Sequence, residues 1–444
     1  MTMQQRNSLK LYDGSSVAVI GGGPAGSFFT WFLLRYARES GINIHVDIFE
    51  PKNFNSEGQA GCNKCGGIVS GSLIQMLSGE GISMPPNVIC RGIESYTLHL
   101  EHGQAVIETP IQDQGIASIF RGLGPRGQVE GEQFSFDNFL LELCKQKGAN
   151  VIPDSLVGVE KADGRIKLKT KKSGEKYCDL IVGAIGLNVQ AMEIFQSVCP
   201  SYFPPTVTRT HISEIYLGKE VVDKYFGNSM HVFLLNLPNI KFGALIPKGS
   251  YVTLVLLGKN ITSKVVAGFL SSEAVKSCFP GDSIIPGIIH CECYPVINVR
   301  GGKSAFADRA VLIGDSASSK LYKNGLGAAY LTGKTAANTA FFHGISQKDF
   351  HKWYQPVCSD LDTDNGFGKI IFNMTSIIQK SSVLKNGMLA MVHQEQKNVG
   401  LKRPMSTMLW DTFTGSAPYA SIFKRSLNPV FIIKYLWNIV KGNQ

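Results

Sequence analysis

The chain is poor in the features that mark membrane-spanning, secreted or metal-built proteins. Its C-terminal apolar stretch, residues 430–441, spans about 12 residues, and at ~1.5 Å of rise each that is about 18 Å of helix, too short to cross a bilayer. The first residues are polar, and the apolar run 17–20 is far shorter than a signal-peptide core, so a cytoplasmic, reducing location is expected. Ten cysteines in 444 residues do not make a secreted disulfide scaffold. Cys62 and Cys65 form a CxxC with no second one to match, where a structural zinc site wants four ligands; only Cys291 and Cys293 offer to complete it. Tryptophan occurs only at 31, 353, 410 and 437. No Ser-His-Asp arrangement, metal-spaced carboxylate set, internal repeat, low-complexity tract or nucleic-acid motif stands out, so no metal and no nucleic-acid partner is expected.

What is present suits a large α/β protein with many tight turns: 44% hydrophobic residues and 47 glycines. The formal charge of +10 is uneven, because residues 380–444 carry nine Lys/Arg against Glu395 and Asp411, a net of +7. Without a nucleic-acid motif, that basic segment points to an anionic lipid surface. Tyr435 and Trp437 beside Lys434 and Lys441 suit peripheral contact with a membrane face; a helix packed on the core is the other reading.

The most specific signals are two glycine-containing runs almost 300 residues apart. Residues 17–26 read as a buried strand, a turn and a helix start: Gly21 permits the turn, Gly23 lets backbone approach a pyrophosphate, Pro24 and Ala25 open the helix, and Gly26 lets it lie close on the strand. Glu50 closes the next apolar strand, 45–50, where a carboxylate would grip a ribose hydroxyl. Residues 311–317 repeat strand, turn and acid with Gly314 and Asp315, then lead into Asn324-Gly325-Leu326-Gly327-Ala328-Ala329. Two phosphate-facing turns on one sheet suit FAD.

Between these runs the pattern changes. A helix is expected at 24–39, a hairpin around 101–103, a helix at 135–147, a hairpin at 163–164 and a buried strand at 179–183. Residues 205–298 read mostly as strands, and the first sheet resumes at 310–313 before a small-residue helix at 327–342. The expected architecture is a discontinuous Rossmann-like FAD-binding domain (1–85, 120–190 and 295–345), an inserted antiparallel-sheet substrate domain (86–119 and 191–294) and a helical C-terminal region (346–444).

Together the paired runs resemble the para-hydroxybenzoate hydroxylase-like flavoproteins over roughly residues 15–345. The resemblance implies that Asp315 binds the ribityl chain and that amides of Gly325, Leu326 and Gly327 approach the flavin ring. Strand 179–183 leads into Ala184-Ile185-Gly186, where that superfamily normally carries Ala-Asp-Gly; Ile185 replaces the acid and weakens the case for direct nicotinamide recognition. Cys65-Gly66-Gly67 after the second strand is similar to the flavin-dependent geranylgeranyl reductases, as is Pro247-Lys248-Gly249 at the end of a substrate-domain strand. In that family the strand is aromatic-rich; here Phe242, Ala244, Ile246 and Pro247 stand in it, implying a different or wider pocket. An arginine before the 135–147 helix meets FAD phosphates in relatives, and Arg121 is favoured over Arg126.

The resemblance implies an FAD-dependent oxidoreductase that reduces carbon–carbon double bonds of a long apolar, isoprenoid lipid, with NADPH or reduced ferredoxin as donor. Cys65 is then a candidate proton donor. Inert thiols beside flavin-packed glycines, or a redox-active disulfide, are the other readings of the CxxC. A monooxygenase or halogenase of the same fold, or a non-enzymatic flavin-holding membrane protein, are the alternatives.

Overall fold

In the computed structural model, residues 9–109, 115–125, 134–282, 288–397 and 402–442 are described. Strand Ser15–Ile20 lies in the middle of a six-stranded sheet, paired in parallel with Ile44–Phe49 on one side and Leu180–Gly183 on the other. Asn150–Ile152 extends one edge in parallel, and Ala310–Leu312 extends the other before the short antiparallel strand Phe306–Ala307. Helices cover both faces of such a sheet, so its strands are continuous apolar runs rather than alternating ones. Helix Pro24–Glu39 buries Phe28, Phe29, Phe32 and Leu33 completely. It packs on helix Gly325–Asn338, where a Cβ on Gly333 would stand 2.9 Å from the Ala25 carbonyl oxygen; only hydrogen fits between the two helices there.

The inserted region builds a seven-stranded sheet in the order Ile289–Cys293, His211–Tyr216, Tyr251–Gly258, Ile240–Lys248, Ser229–Phe233, Ser95–Leu100 and Gly103–Glu108. All neighbours are antiparallel except Ser229–Phe233 with Ser95–Leu100. One face packs Phe233, Leu245, Leu254 and Leu256 against Phe269 and Val275. The other packs Leu98, Phe242 and Ala244 against Phe372, Met388, Trp410 and Tyr419 of the C-terminal helices. Strand Tyr251–Gly258 is therefore buried at all eight positions.

Most expected elements are present within a residue or two. The strand-rich reading of 205–298 overlooks helices Lys219–Tyr225, Ser263–Leu270 and Glu273–Lys276. They are short, and Val265, Val266 and Gly268 lower intrinsic helix preference, so tertiary packing has to form them. The small-residue helix begins at Gly325, two residues early, and ends at Asn338 in a π turn over Thr339–His343.

Candidate functional site

The three glycines of the first turn differ in what they permit. Gly21 has φ +105°, and a Cβ there would overlap the Ala184 carbonyl; a Cβ on Gly26 would overlap the Gly21 carbonyl. Those two are required by the fold itself. Gly23 has φ −67° and ψ −176°, ordinary extended backbone, and a Cβ there would meet only the Asn63 amide nitrogen at 3.5 Å. Space above Gly23 is thus open, and the helix beginning at Pro24 has no side-chain cap and no acid in its first turn. Unpaired amides at the positive end of a 16-residue helix fit an anionic pyrophosphate.

Glu50 stands at the end of the second strand, 8% exposed, with Oε2 accepting from the Gly22 amide (2.8 Å) and Oε1 from the Lys52 amide (2.9 Å). Burial pushes its carboxyl up while those two amides pull it down. The residue expected at a ribose also ties the glycine turn to its strand.

Gly314 of the second run has φ +65°, and a Cβ there would lie 2.8 Å from the Ala25 side chain, so the two turns touch. Asp315 follows in a short 3-10 turn, its carbonyl accepting from Asn298 at 3.0 Å. The expected use of the Gly325–Gly327 amides needs one correction. Asn324, itself left-handed at φ 51°, caps the helix by accepting from the Gly327 amide at 2.9 Å, so that amide is already spent. The preceding Lys323 is buried; its Nζ donates to the Asp411 carbonyl (2.6 Å) and lies 4.0 Å from the Tyr419 ring centroid. Burial pulls its amine down to about 7.

Arg121 forms a fork on Asp137, with Nε to Oδ1 at 2.8 Å and Nη2 to Oδ2 at 2.9 Å. The Asn63 amide also donates to Oδ2. Asp137 has no exposed side-chain surface, and Arg121 has 15%. The arginine expected at phosphate is held first by a carboxylate; Arg126 lies outside the described residues.

The cysteine segment comes next. Cys62 and Cys65 are free, and each sulfur accepts from a backbone amide two residues on, Lys64 (3.1 Å) and Gly67 (3.4 Å). Among the described residues, Cys62, Cys65, Cys291 and Cys293 do not converge as metal ligands. Gly66 faces the inserted sheet: a Cβ there would lie 2.9 Å from Val255 Cγ2 and 3.6 Å from Ile246 Cδ1. Gly67, at φ +70°, abuts the Ile119 carbonyl and the Lys248 ammonium. Of the expected pocket residues, Ile246 therefore borders this segment. The Pro247 carbonyl accepts from Ser118 at 2.8 Å. Phe242 instead stacks on Phe372 and meets Phe413 edge-on, so aromatic side chains of the C-terminal helices fill the room that a widened pocket at Phe242 would need.

Lys248 and Glu214 are functional candidates that sequence reasoning leaves unassigned. Lys248 is 1% exposed, pairs with Glu214 at 3.7 Å and lies 4.8 Å from the Phe120 ring centroid. Glu214 also accepts from Thr253 at 2.7 Å, and burial pushes its carboxyl up. Pro247-Lys248-Gly249 is the available signal for Lys248; nothing local marks Glu214, which strand pairing places opposite Thr253.

No protein-family model and no curated protein sequence matches the chain. Among solved structures, the chain is similar to a geranylgeranyl bacteriochlorophyll reductase-like protein from Thermoplasma acidophilum (TM-score 0.64, 14% identity, covering 96% of this chain and 99% of that one). It is similar also to p-nitrophenol 4-monooxygenase from Pseudomonas putida (TM-score 0.58, 10% identity, 92% and 100%). A third is a mutant of the halogenase PltM in complex with FAD (TM-score 0.61, 12% identity, 97% and 96%). The chain has the fold shared by these flavin-dependent reductases, monooxygenases and halogenases, over almost its whole length.

Proposed function

We propose that this chain is an FAD-dependent oxidoreductase that reduces carbon–carbon double bonds of a long apolar, isoprenoid-type lipid. The observation that carries this reading is the meeting of Gly66 with the apolar strand pair at Ile246 and Val255, on a segment whose Asn63 faces Gly23 of the first turn. The uncapped amides above Gly23, with Pro24 and Ala25 opening the helix, hold the pyrophosphate; Glu50 takes a ribose hydroxyl. Asp315 and the Gly325 and Leu326 amides serve the ribityl–flavin half. Reduced flavin, when bound, supplies a hydride equivalent to one alkene carbon. The second carbon then needs a proton, which we assign to the Cys65 thiol. Lys248, paired with Glu214, lies beside Gly67 at the border of this segment. Electrons come from NADPH or reduced ferredoxin, a choice stopped-flow reduction with each donor decides.

The test uses chemically reduced holoprotein and a geranylgeranyl lipid under anaerobic conditions. Cys65→Ala, with FAD still bound, should reduce the lipid about 100-fold more slowly or worse, the usual scale of lost acid catalysis. A wild-type rate in that variant overturns the proton assignment. No product heavier by two hydrogens under these conditions, with oxygen consumed and a hydroxylated product formed once air is admitted, overturns the reductase reading itself.

Delivery of such a substrate is supported by the C-terminal helix Pro429–Gly442. Its inner side, with Tyr435, Asn438 and Ile439, lies on helix Ser382–Lys397; Tyr435 donates to the Leu384 carbonyl at 2.9 Å, and Gly387 leaves room for Ile439. Val430, Ile433, Leu436, Trp437 and Val440 share the outer side, each more than half exposed. No helix among the described residues is long and apolar enough to cross a membrane. The outer stripe instead suits peripheral contact with a lipid surface, flanked by Lys434 and Lys441, whose Nζ lies 5.2 Å from the Trp437 ring centroid. Part of the basic tail is spent internally, in pairs Lys385–Glu101, Arg403–Glu108 and Arg425–Asp411. Apolar contact should therefore dominate over charge. Ile433→Asp/Trp437→Asp should cut co-sedimentation with phosphatidylglycerol-containing vesicles at least about tenfold, since each large apolar side chain is worth ~1.5–3 kcal/mol on burial. Equal sedimentation of variant and wild type would remove the membrane contact from the proposal.

A further inference from the structure

Sequence spacing offers no metal-ligand set, but the fold brings one together away from the flavin-type site. His99 comes from strand Ser95–Leu100, His231 from the adjacent parallel strand Ser229–Phe233, and Cys278 from the turn after helix Glu273–Lys276. His99 Nε2 lies 3.0 Å from His231 Nδ1; Cys278 Sγ lies 3.4 Å from that nitrogen and 3.8 Å from His99 Nε2. All three residues are buried, with 3%, 8% and 5% exposure. They are the one group of three or more potential ligands whose atoms converge among the described residues.

The spacing is that of ligands around a single ion. With metal–nitrogen bonds of about 2.0–2.1 Å and a metal–sulfur bond of about 2.3 Å, a tetrahedral or trigonal centre separates nitrogens by about 3.3–3.6 Å and nitrogen from sulfur by about 3.5–3.8 Å. The cluster needs only a few tenths of an ångström of expansion. The walls are apolar: Phe233 stacks on His99 at 4.6 Å, Phe226 lies 4.8 Å from His231, and Phe279 packs on Phe226. Two imidazoles and one thiolate in an aromatic-walled pocket select a borderline or soft d10 ion over a hard, water-loving one.

We propose that His99, His231 and Cys278 bind one d10 ion as a structural staple, either a three-coordinate Cu⁺ or a Zn²⁺ that takes one water as its fourth ligand. Binding replaces the Cys278 S–H bond with a metal–sulfur bond and releases one proton to solvent; no electron is transferred. The ion joins two adjacent strands of the inserted sheet to the segment that carries the Ser263–Leu270 and Glu273–Lys276 helices. A helix pair with weak intrinsic preference is thereby fastened at its far end.

The test measures metal in the full-length protein purified from medium supplemented with zinc or with copper, by mass spectrometry after dialysis against a weak chelator. Wild type should retain about one equivalent of one of the two ions, and which one separates the sources. His99→Gln and Cys278→Ser should each retain less than about a tenth of that. Cys65→Ser, outside the cluster, should retain it in full. If the variants fail to fold, cobalt substitution of wild type decides: a thiolate-to-cobalt charge-transfer band supports the site. Wild type free of zinc and copper and without that band would make the trio a hydrogen-bonded core patch and overturn the proposal. So would full metal retention in folded Cys278→Ser.

Discussion

Asp137→Ala should destabilise the protein by about 3–5 kcal/mol, the usual cost of removing one partner from a buried ion pair. The magnitude follows from what is left behind. Asp137 has no exposed side-chain surface, and it takes both prongs of the Arg121 fork together with the Asn63 amide. Removing it strands a guanidinium that is only 15% exposed. Burial disfavours the Arg121 charge, and the Asp137 carboxylate beside it offsets that cost. Replacing both residues with apolar ones, Arg121→Met/Asp137→Leu, should recover much of the loss in stability, since no unpaired charge remains. Thermal and urea unfolding of the three variants checks this. An Asp137→Ala loss under about 1 kcal/mol would mean that the pair is solvated and the fork contributes little.

Gly23→Val and Gly26→Ala should fail in opposite ways. A methyl at Gly26 overlaps the Gly21 carbonyl, so helix Pro24–Glu39 must lift from its strand, and the apoprotein should lose several kcal/mol, at the upper end of overpacking costs of ~1–3 kcal/mol or beyond. Gly23 has extended backbone and open space over it, so Gly23→Val should leave apoprotein stability within about 0.5 kcal/mol. Its branched side chain would instead occupy the place proposed for the pyrophosphate. Losing two charge-assisted amide bonds at about 1.5–3 kcal/mol each should weaken FAD binding at least about 100-fold. Apoprotein melting and fluorescence titration with FAD separate the two effects. Undiminished FAD affinity in folded Gly23→Val would move the phosphate site away from this turn.

The contrast between those glycines shows how much of the site is legible in the sequence. Gly21, Gly23 and Gly26 are visible because a βα turn over a phosphate imposes local demands within six residues. Cys65-Gly66-Gly67 and Pro247-Lys248-Gly249 are legible as words, but not as neighbours. The approach of Gly67 to the Lys248 ammonium depends on pairing between elements about 180 residues apart. The Asn324 cap is equally hidden: only the left-handed turn at Asn324 shows that the Gly327 amide is spent on the helix's own end.

Phe242 illustrates the limit from the substrate side. Its strand is recognisable, yet the small neighbour Ala244 suggests a wider pocket, because a strand's sequence does not say what covers it. The covering residues, Phe372, Phe413 and Trp410, come from helices over a hundred residues downstream.

By itself the sequence determined the nucleotide-type turns, the doubly wound sheet that carries them and the basic, apolar C-terminus, since each depends on periodicity or on spacing along the chain. The tertiary structure alone decided which carboxylate holds Arg121, that Lys248 pairs with Glu214, and that His99, His231 and Cys278 share one point. It also decided which side of helix Pro429–Gly442 is left bare. Those are matters of long-range packing, where distance in space is set by sheet order and no local pattern records the partner.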